Sequence, residues 1–276
     1  MQPVIKWTGS KRYIAKDIVL HIPNDINMIV EPFLGGGSVM YYYSHMNCTK
    51  ICMDINKDLI NIWRLIQYQP GYLIQYYSQM WEKFLEGGKI FYNEIRDKYN
   101  TKTDTVLRAV YLFFLTRTCV NGLIRYNKKG KFNTSCHFNR NVTKVKRMSR
   151  IIYDWHNRIK DNCFIATDYK NIDLKELGTD SITNNVLFYL DPPYYNTKGQ
   201  YYNNFNNNEF IEFLEKLNTL GFKYILSYDG YRDNELQYKL PDKLYKRSFV
   251  MKTSLSSFNN LRKEKVNVQE MLYLNY

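Results

Sequence analysis

Cysteine and histidine are scarce in this chain of 276 residues, and neither occurs in the spacing that a metal site needs. The five cysteines are odd in number and include no C-x-x-C pair, and the four histidines form no ligand pattern. The cysteines are Cys48, Cys52, Cys119, Cys136 and Cys163. This scatter argues against both a zinc site and a disulfide framework. We expect no metal centre and a reducing, cytoplasmic setting.

Long apolar runs are also missing. No stretch reaches the roughly 18 apolar residues that would indicate a membrane-spanning helix, and the N-terminus has no signal-peptide pattern. We therefore expect no membrane partner. The length allows one large domain or two modest ones, with ample core.

Acidic residues are outnumbered by basic ones. The chain has 39 Lys and Arg against 26 Asp and Glu, for a formal net charge of +13. This balance favours a polyanionic partner whose affinity falls with salt, although a merely solvated basic surface would give the same count. The 26 tyrosines and 15 phenylalanines suit base stacking, but most of them will be core.

A run of five apolar or aromatic residues, 186–190, is typical of a fully buried strand. Pro192 and Pro193 follow, and they stop the strand because neither can donate a backbone hydrogen bond. Asp191 therefore lies at the carboxyl end of a buried strand, on a stiff turn, with Tyr194 next to it. In open α/β sheets, ligands bind outside that end of the strands.

This turn suits attack by an exocyclic amino group, such as that of adenine, whose lone pair is delocalised into the ring. The Asp191 carboxylate can accept one N–H and the Pro192 carbonyl the other, which favours a pyramidal nitrogen. Tyr194 can stack on the base, a contact worth roughly 1–3 kcal/mol. We predict catalytic roles for these three residues; the alternative is an ordinary strand-to-loop turn.

A glycine loop follows the predicted strand 28–30 and precedes a helix. Strand, glycine loop and helix form the nucleotide-binding opening of a doubly wound sheet, and the helix N-terminus offers free N–H donors. The spacing is not G-x-G-x-x-G. Asp54 ends the next strand, 50–53, where an acid can hold a ribose diol.

The pattern fits an adenosyl ligand without a pyrophosphate, such as S-adenosylmethionine. A third strand, 163–166, is followed by Asp168 and Tyr169, which could bracket the adenine of that ligand. The predicted cofactor residues in this part of the chain are Phe33, Gly35, Gly37, Asp54 and Asp168.

Between the second and third strands the pattern becomes helical, at 59–68, 71–84 and 105–118, with a break at Gly87 and Gly88. Residues 121–133 have the Asn-Lys-Lys-Gly centre of a β-hairpin. Its basic residues, Arg125, Lys128, Lys129 and Lys131, could enter a DNA groove, where Arg can bond guanine. Farther along, Arg140, Lys144, Lys146, Arg147 and Arg150 suit phosphate contacts.

The remaining pattern completes an α/β fold. We predict a helix at 209–220, strands at 223–227 and 249–251, and a last strand at 270–275 that is antiparallel. The fold class is α/β, with a doubly wound, mostly parallel sheet and an inserted helical and β-hairpin domain. We predict a catalytic domain from 1–58 and 160–276 and a recognition domain at 59–159.

Five runs, taken together, resemble the Dam-type (D12 class) DNA adenine-N6 methyltransferases of bacteria and phages. They are Lys-Trp-Thr-Gly-Ser-Lys at 6–11, Glu-Pro-Phe-Leu-Gly-Gly-Gly at 31–37, Asp-Ile-Asn-Lys-Asp-Leu-Ile at 54–60, Asn-Gly-Leu-Ile-Arg-Tyr-Asn at 121–127 continuing to Phe132 and Asn133, and Asp-Pro-Pro-Tyr at 191–194. They occur in the family's order and span nearly the whole chain. The resemblance implies a Rossmann-like, S-adenosylmethionine-dependent enzyme that acts on double-stranded DNA.

The resemblance also implies residue roles. Trp7, Lys11, Asp54 and Asp191 would contact S-adenosylmethionine or its surroundings. Lys6 and Arg125 would reach bases, with Asn121 and Leu123 near a flipped nucleotide. Val120 stands where the family often has an aromatic ring, so strand separation would rely on other groups.

We therefore expect methyl transfer to N6 of an adenine that is flipped out of duplex DNA, with GATC as the expected site and a monomer in solution. Three alternatives stay open. They are a methyltransferase for RNA adenine or a protein amide, one for cytosine N4, and a non-catalytic DNA-binding relic.

Overall fold

The computed structural model describes residues 1–137, 142–178, 185–194, 205–232, 234–252 and 268–276. The strands are β1 (Met28–Glu31), β2 (Thr49–Asp54), β3 (Asn162–Ala166), β4 (Val186–Leu190), β5 (Lys223–Arg232), β6 (Glu235–Leu236), β7 (Arg247–Lys252) and β8 (Val268–Leu274). The helices are α1 (Ala15–Val19), α2 (Ser38–Tyr43), α3 (Lys57–Tyr68), α4 (Pro70–Thr101), α5 (Thr105–Thr118), α6 (Val145–Arg158), α7 (Leu174–Leu177) and α8 (Asn207–Thr219).

The strands form one mixed sheet in the order β3-β2-β1-β4-β5-β8-β7, and β6 pairs with β5. The pairs from β3 to β5 are parallel. Strand β8 runs antiparallel to both β5 and β7. The predicted α/β class, the mostly parallel sheet and the antiparallel last strand are confirmed.

The strand order reverses between β1 and β4. After β1 the chain passes through α2 to β2 and on toward β3, whereas after β4 it passes through α8 to β5 on the other side. Such a switch point opens a crevice at the carboxyl ends of the strands, which is where ligands bind in this class of sheet. Strand β1 ends at Glu31, and Asp191 directly follows β4.

The sheet is covered on both faces, because alternate residues of its strands enter different apolar clusters. Leu187 and Tyr189 pack in the cluster that includes α1 to α6, while Phe188 and Leu190 pack in the cluster that includes α8. The first cluster continues from the sheet into the insert between β2 and β3. The division into two domains stays a prediction.

Local signals explain most helix boundaries. Asp104 accepts hydrogen bonds from the backbone N–H groups of Val106 and Leu107, and α5 begins directly after it, as predicted. Helix α4 runs past the predicted end at residue 84, with its break at Gly88 (φ 50°). Helix α6 was not predicted, although its buried residues Met148, Ile151, Ile152 and Trp155 have helical spacing.

The predicted hairpin is a tight turn that is closed by a single antiparallel bridge, between Tyr126 and Phe132. The Asn127 side chain accepts hydrogen bonds from the backbone N–H groups of Lys129 (2.9 Å) and Lys131 (3.1 Å). The Tyr126 hydroxyl lies 3.0 Å from that of Tyr99 on α4. The turn is therefore anchored to the helices beneath it, while its tip is exposed.

Within the described ranges, no helix combines the length and apolarity needed to cross a membrane.

Candidate active site

Asp54 ties the glycine loop to the end of β2. Its Oδ2 accepts a hydrogen bond from the Gly35 N–H (3.0 Å), and its Oδ1 accepts one from the Asn56 N–H (2.9 Å). The carboxyl group is 7% exposed. Burial raises the pKa of Asp54 to about 6, although the two backbone hydrogen bonds act in the opposite direction. Each oxygen keeps a lone pair that could accept a ligand hydroxyl.

Two positions of the loop require glycine, because of their backbone conformation and because side chains pack closely against them. Gly35 and Gly37 have φ values of +49° and +63°, which L side chains rarely adopt. A Cβ on Gly35 would lie 3.1 Å from Trp7, and one on Gly37 would lie 2.9 Å from Trp63. The Trp63 indole N–H also donates to the Gly35 carbonyl (3.2 Å). Trp7 thus packs directly on the loop, although 28 residues separate it from Gly35 in sequence.

Asp191 carries an ion pair at the end of β4. Its Oδ1 lies 2.6 Å from Lys11 Nζ, and the two side chains are 19% and 4% exposed. Burial raises the pKa of Asp191 to about 6, against the opposing effect of the Lys11 ammonium. Burial alone would lower the pKa of Lys11, but the carboxylates of Asp191 and Glu270 raise it. At neutral pH the pair is therefore mostly a carboxylate and an ammonium.

Tyr194 and Glu270 complete this cluster. Lys11 Nζ lies 4.9 Å from the centroid of the Tyr194 ring and 3.7 Å from Glu270 Oε2. The pKa of the Tyr194 hydroxyl is raised by burial and by the Glu270 and Asp191 carboxylates. Lys11 also donates a hydrogen bond to the Gly9 carbonyl (3.1 Å).

Glu31 is a further carboxyl group at this edge of the sheet. It is 2% exposed and accepts a hydrogen bond from the Tyr43 hydroxyl. Burial raises its pKa well above the usual range, and the carboxylates of Asp191 and Asp54 add to that effect. Glu31 is therefore harder to ionise than an ordinary glutamate.

An aromatic wall borders the site on the α8 side. The ring of Phe33 lies 5.2 Å from that of Tyr169 and 6.0 Å from that of Phe210, measured between centroids. Asp168 caps the turn beside Tyr169, because its Oδ1 accepts a hydrogen bond from the Lys170 N–H (3.1 Å). Asp168 is half-exposed, so its carboxylate remains accessible to a ligand.

The N-terminal segment is joined to the start of the predicted recognition turn, residues 121–133. Thr8 Oγ1 donates to the Gly122 carbonyl (3.3 Å) and accepts from the Ile124 N–H (3.4 Å). Gly122 has a φ of +68°, and a Cβ there would lie 2.8 Å from the Cβ of Lys6. Lys6 thereby lies beside Gly122, between Asn121 and Leu123, and the shared role of these residues at the DNA stays a prediction.

The cations of the turn are presented outward. Arg125 Nε donates to Asn133 Oδ1 (3.2 Å) on the opposite side of the turn, and Lys128, Lys129 and Lys131 are exposed at its tip.

A second basic surface surrounds the N-terminus of α6. A hollow of about 660 Å³ there is lined by basic residues that are predicted from the sequence to contact DNA phosphates. They are Lys144, Lys146, Arg147 and Arg150, all exposed. Arg140 lies outside the described residues.

The structure thus brings six of the predicted site residues into two groups. Trp7, Gly35 and Asp54 form one, and Lys11, Asp191 and Tyr194 form the other. Sequence reasoning missed Glu270, which lies near the start of β8. The predicted antiparallel direction was the signal, because such a strand begins where its parallel neighbours end.

No group of three or more His, Cys, Asp or Glu side chains in the described part of the chain is arranged to hold a metal ion.

The comparisons with known proteins identify the family of the chain. The profile of the D12 class N6 adenine-specific DNA methyltransferases matches residues 7–266. The chain therefore belongs to this family, which transfers methyl groups to adenine in DNA.

Individual relatives support the assignment. The type II methyltransferase M.MjaIII of Methanocaldococcus jannaschii is 28% identical over 308 residues, covering 100% of this chain and 99% of that protein. The type II methyltransferase M.CviBI of Paramecium bursaria Chlorella virus NC1A is 27% identical over 257 residues, which cover 89% of this chain and 93% of that protein. The DNA adenine methylase of Vibrio cholerae is 36% identical over 129 residues, 47% of this chain and 45% of that protein.

Proposed function

We propose that the protein transfers a methyl group from S-adenosyl-L-methionine to N6 of an adenine that it flips out of duplex DNA, within a short site for which GATC is the first candidate. The observation that carries the proposal is the environment of Asp191. A nitrogen donor, Lys11 Nζ, already lies within hydrogen-bond distance of its carboxylate and against the Tyr194 ring. An adenine amino group would need the same two contacts.

The residues of the glycine-loop group fit the methyl donor. The buried Asp54 carboxylate retains acceptor capacity for ribose hydroxyls, and the half-buried Phe33 ring would offer an apolar wall. Asp168 would accept from an adenine amino group. Trp7, Gly35 and Gly37 would shape the same crevice, with Lys11 and Asp191 at its end. When bound, the donor supplies a methyl group on a positively charged sulfur.

The chain's own contribution to the chemistry is positioning and electrostatics. Asp191 accepts one N6–H and the Pro192 carbonyl accepts the other, so the nitrogen lone pair is free to attack. Tyr194 stacks on the base and holds its plane. The amino proton leaves during or after transfer, and no strong base is needed.

The DNA contacts divide between two surfaces. Lys6, Asn121, Leu123 and Arg125 would act at the flipped base and its neighbours, and the cost of flipping is a few kcal/mol. The turn-tip lysines and the α6 cations would contact phosphates, which position the duplex without specifying its sequence. In this proposal, residues 59–159 form the recognition domain and the protein acts as a cytoplasmic monomer. The five cysteines are all unpaired by disulfides, which fits a reducing compartment.

The test is Asp191→Ala. Without the carboxylate, methyl transfer to DNA should fall by at least about 10³-fold, since the positioning of the amine is lost. Among the described residues, the Lys11 ammonium then keeps only Glu270 as a counter-charge, so the melting temperature is measured alongside to separate unfolding from lost chemistry. Labelled methyl transfer to DNA measures the rate, and Asp97→Ala, at an exposed carboxylate, is the matched control. Near-normal transfer by Asp191→Ala would refute the proposal.

The methylated base and its sequence follow from sequencing modified bases on DNA exposed to the purified protein. N6-methyladenine in a fixed short site is the expected result. N4-methylcytosine, or transfer only to RNA or protein, would favour the alternatives instead.

A further inference from the structure

Two carboxylates face the ammonium of Lys11, one after β4 and one on β8. Nζ lies 2.6 Å from Asp191 Oδ1 but 3.7 Å from Glu270 Oε2. The first distance is a hydrogen bond and the second is too long for one. Glu270 Oε2 is buried, and the Glu270 carboxylate interacts with the Tyr194 hydroxyl beside Lys11. The carboxylate therefore borders the same small cluster and can accept a further donor, since each of its oxygens has two lone pairs.

Lys11 Nζ also lies where the proposed reaction needs the substrate nitrogen. It contacts the Asp191 carboxylate and lies near the Tyr194 ring, 4.9 Å from the ring centroid. An adenine amino group that donates a hydrogen bond to Asp191 Oδ1 would place its nitrogen about 2.7–3.2 Å from that oxygen. A base that stacks on the Tyr194 ring with its amino group on that oxygen would crowd Nζ, so in this inference Nζ moves when the base enters.

The displaced ammonium has a short path to a new partner. Lys11 is 5% exposed, and a buried cation without a counter-charge is strongly destabilising. A shift of about 1 Å toward Glu270 would bring Nζ to the roughly 2.7–2.9 Å of a charge-assisted hydrogen bond. The flexible four-carbon stem of lysine allows such a shift.

The backbone holds Glu270 in place for this role. Strand β8 is paired on both sides, and Glu270 lies opposite Met251 of β7. On the side of β8 that faces β5, a Cβ on Gly230 of β5 would lie 2.0 Å from the Gln269 carbonyl oxygen. Only glycine permits so close an approach of β5 to β8 beside Glu270.

We propose that Glu270 is a positioning residue that receives the Lys11 ammonium when Asp191 binds the amino group of the target base. The inference rests on the proposed function. Lys11 and Glu270 would act together as a relay that keeps Asp191 paired before the base arrives and then releases it.

The test compares Glu270→Gln with Glu270→Asp, using Glu235→Gln on the exposed β6 as the matched control. Glutamine keeps the size of the side chain, and Lys11 keeps Asp191 as a partner, so no buried charge is left unpaired. The measurement is single-turnover methyl transfer to a duplex that contains the site found by sequencing, with both substrates saturating. Melting temperatures and dissociation constants for DNA and S-adenosylmethionine are measured alongside.

We expect Glu270→Gln to lower the transfer rate at least 10-fold, with DNA and cofactor affinities within about threefold of the wild type. Glu270→Asp keeps the charge and should recover most of that rate, while Glu235→Gln should match the wild type. Wild-type transfer by Glu270→Gln, or an equal loss in both Glu270 variants, would overturn the inference. A wild-type protein that methylates no DNA would instead overturn the proposed function itself.

Discussion

Burial determines the ionisation of the single residues on which the chemistry depends. Asp54 and Asp191 are both desolvated at the carboxyl edge of the sheet, and the pKa of each is raised to about 6. The Lys11 ammonium opposes the effect at Asp191, and backbone N–H groups oppose it at Asp54. Both groups are therefore largely ionised at pH 7 but not at pH 5.

Activity should depend on pH in a specific direction. A protonated Asp191 loses its charge and part of its capacity to accept N6–H, so kcat/KM for DNA should fall as the pH drops through about 6. A pH profile at saturating S-adenosylmethionine measures this. A limb near pH 4, the range of an ordinary aspartate, would contradict the prediction.

The effect of Asp54 protonation can be measured apart from that of Asp191, because the two carboxylates are proposed to contact different substrates. Protonation of Asp54 should weaken the binding of S-adenosylmethionine over the same pH range, and calorimetry without DNA measures that binding. An affinity that is constant from pH 5 to 8 would mean that the Asp54 carboxylate does not contact the methyl donor.

At the scale of the elements, the glycine loop between β1 and α2 joins three parts of the chain. Trp7 packs on Gly35 and Gly36, Trp63 of α3 packs on Gly37, and Asp54 of β2 holds the Gly35 N–H. These contacts from three parts of the chain hold the backbone of the loop in one conformation.

Gly37→Ala should destabilise the protein by about 2–5 kcal/mol. A positive φ costs an alanine roughly 1–2 kcal/mol, and overpacking adds about 1–3 kcal/mol, since the new Cβ would lie 2.8 Å from Met40 and 2.9 Å from Trp63. Urea unfolding measures the change.

Gly130→Ala is the matched control for this prediction. Gly130 has a φ of +69° but no atom within 4 Å of its Cβ position, so only the backbone cost should appear. If both variants lose the same stability, the packing of the loop against Trp63 contributes little.

At the scale of the whole molecule, the net charge of +13 is gathered in part around α6 and the recognition turn. The four α6 cations form no ion pair with a carboxylate among the described residues. Residues 2 to 6 connect that surface to Lys6, and four residues span at most about 14 Å, the length of roughly four base pairs. The two basic surfaces are therefore close enough for one duplex to be long enough to contact both.

Replacing Lys144, Lys146, Arg147 and Arg150 with glutamine should weaken duplex binding and flatten its salt dependence. Each lost phosphate contact reduces the slope of log K against log salt by about 0.9, so a loss of up to about 3–4 is expected. Filter binding at several salt concentrations measures it. A control variant neutralises four scattered exposed lysines, Lys16, Lys83, Lys216 and Lys246, and an equal effect in both would mean that only net charge matters.

The sequence by itself determined those features that depend on neighbouring residues. The buried strand β4, the proline turn after it, the glycine loop and helix α5 all follow from local patterns of burial, capping and backbone restriction. Their predicted bounds agree closely with the structure. The alternation of strands and helices was also enough to predict a mostly parallel sheet.

Only the tertiary structure decided which distant residues meet. Lys11 contacts Asp191, 180 residues away, and Glu270 joins them because β8 enters the sheet between β5 and β7. Thr8 bonds Gly122, 114 residues away. Such contacts, and the pKa values that they produce, depend on strand order and burial. A linear pattern carries little information on either, because many sheet orders satisfy the same alternation of apolar residues.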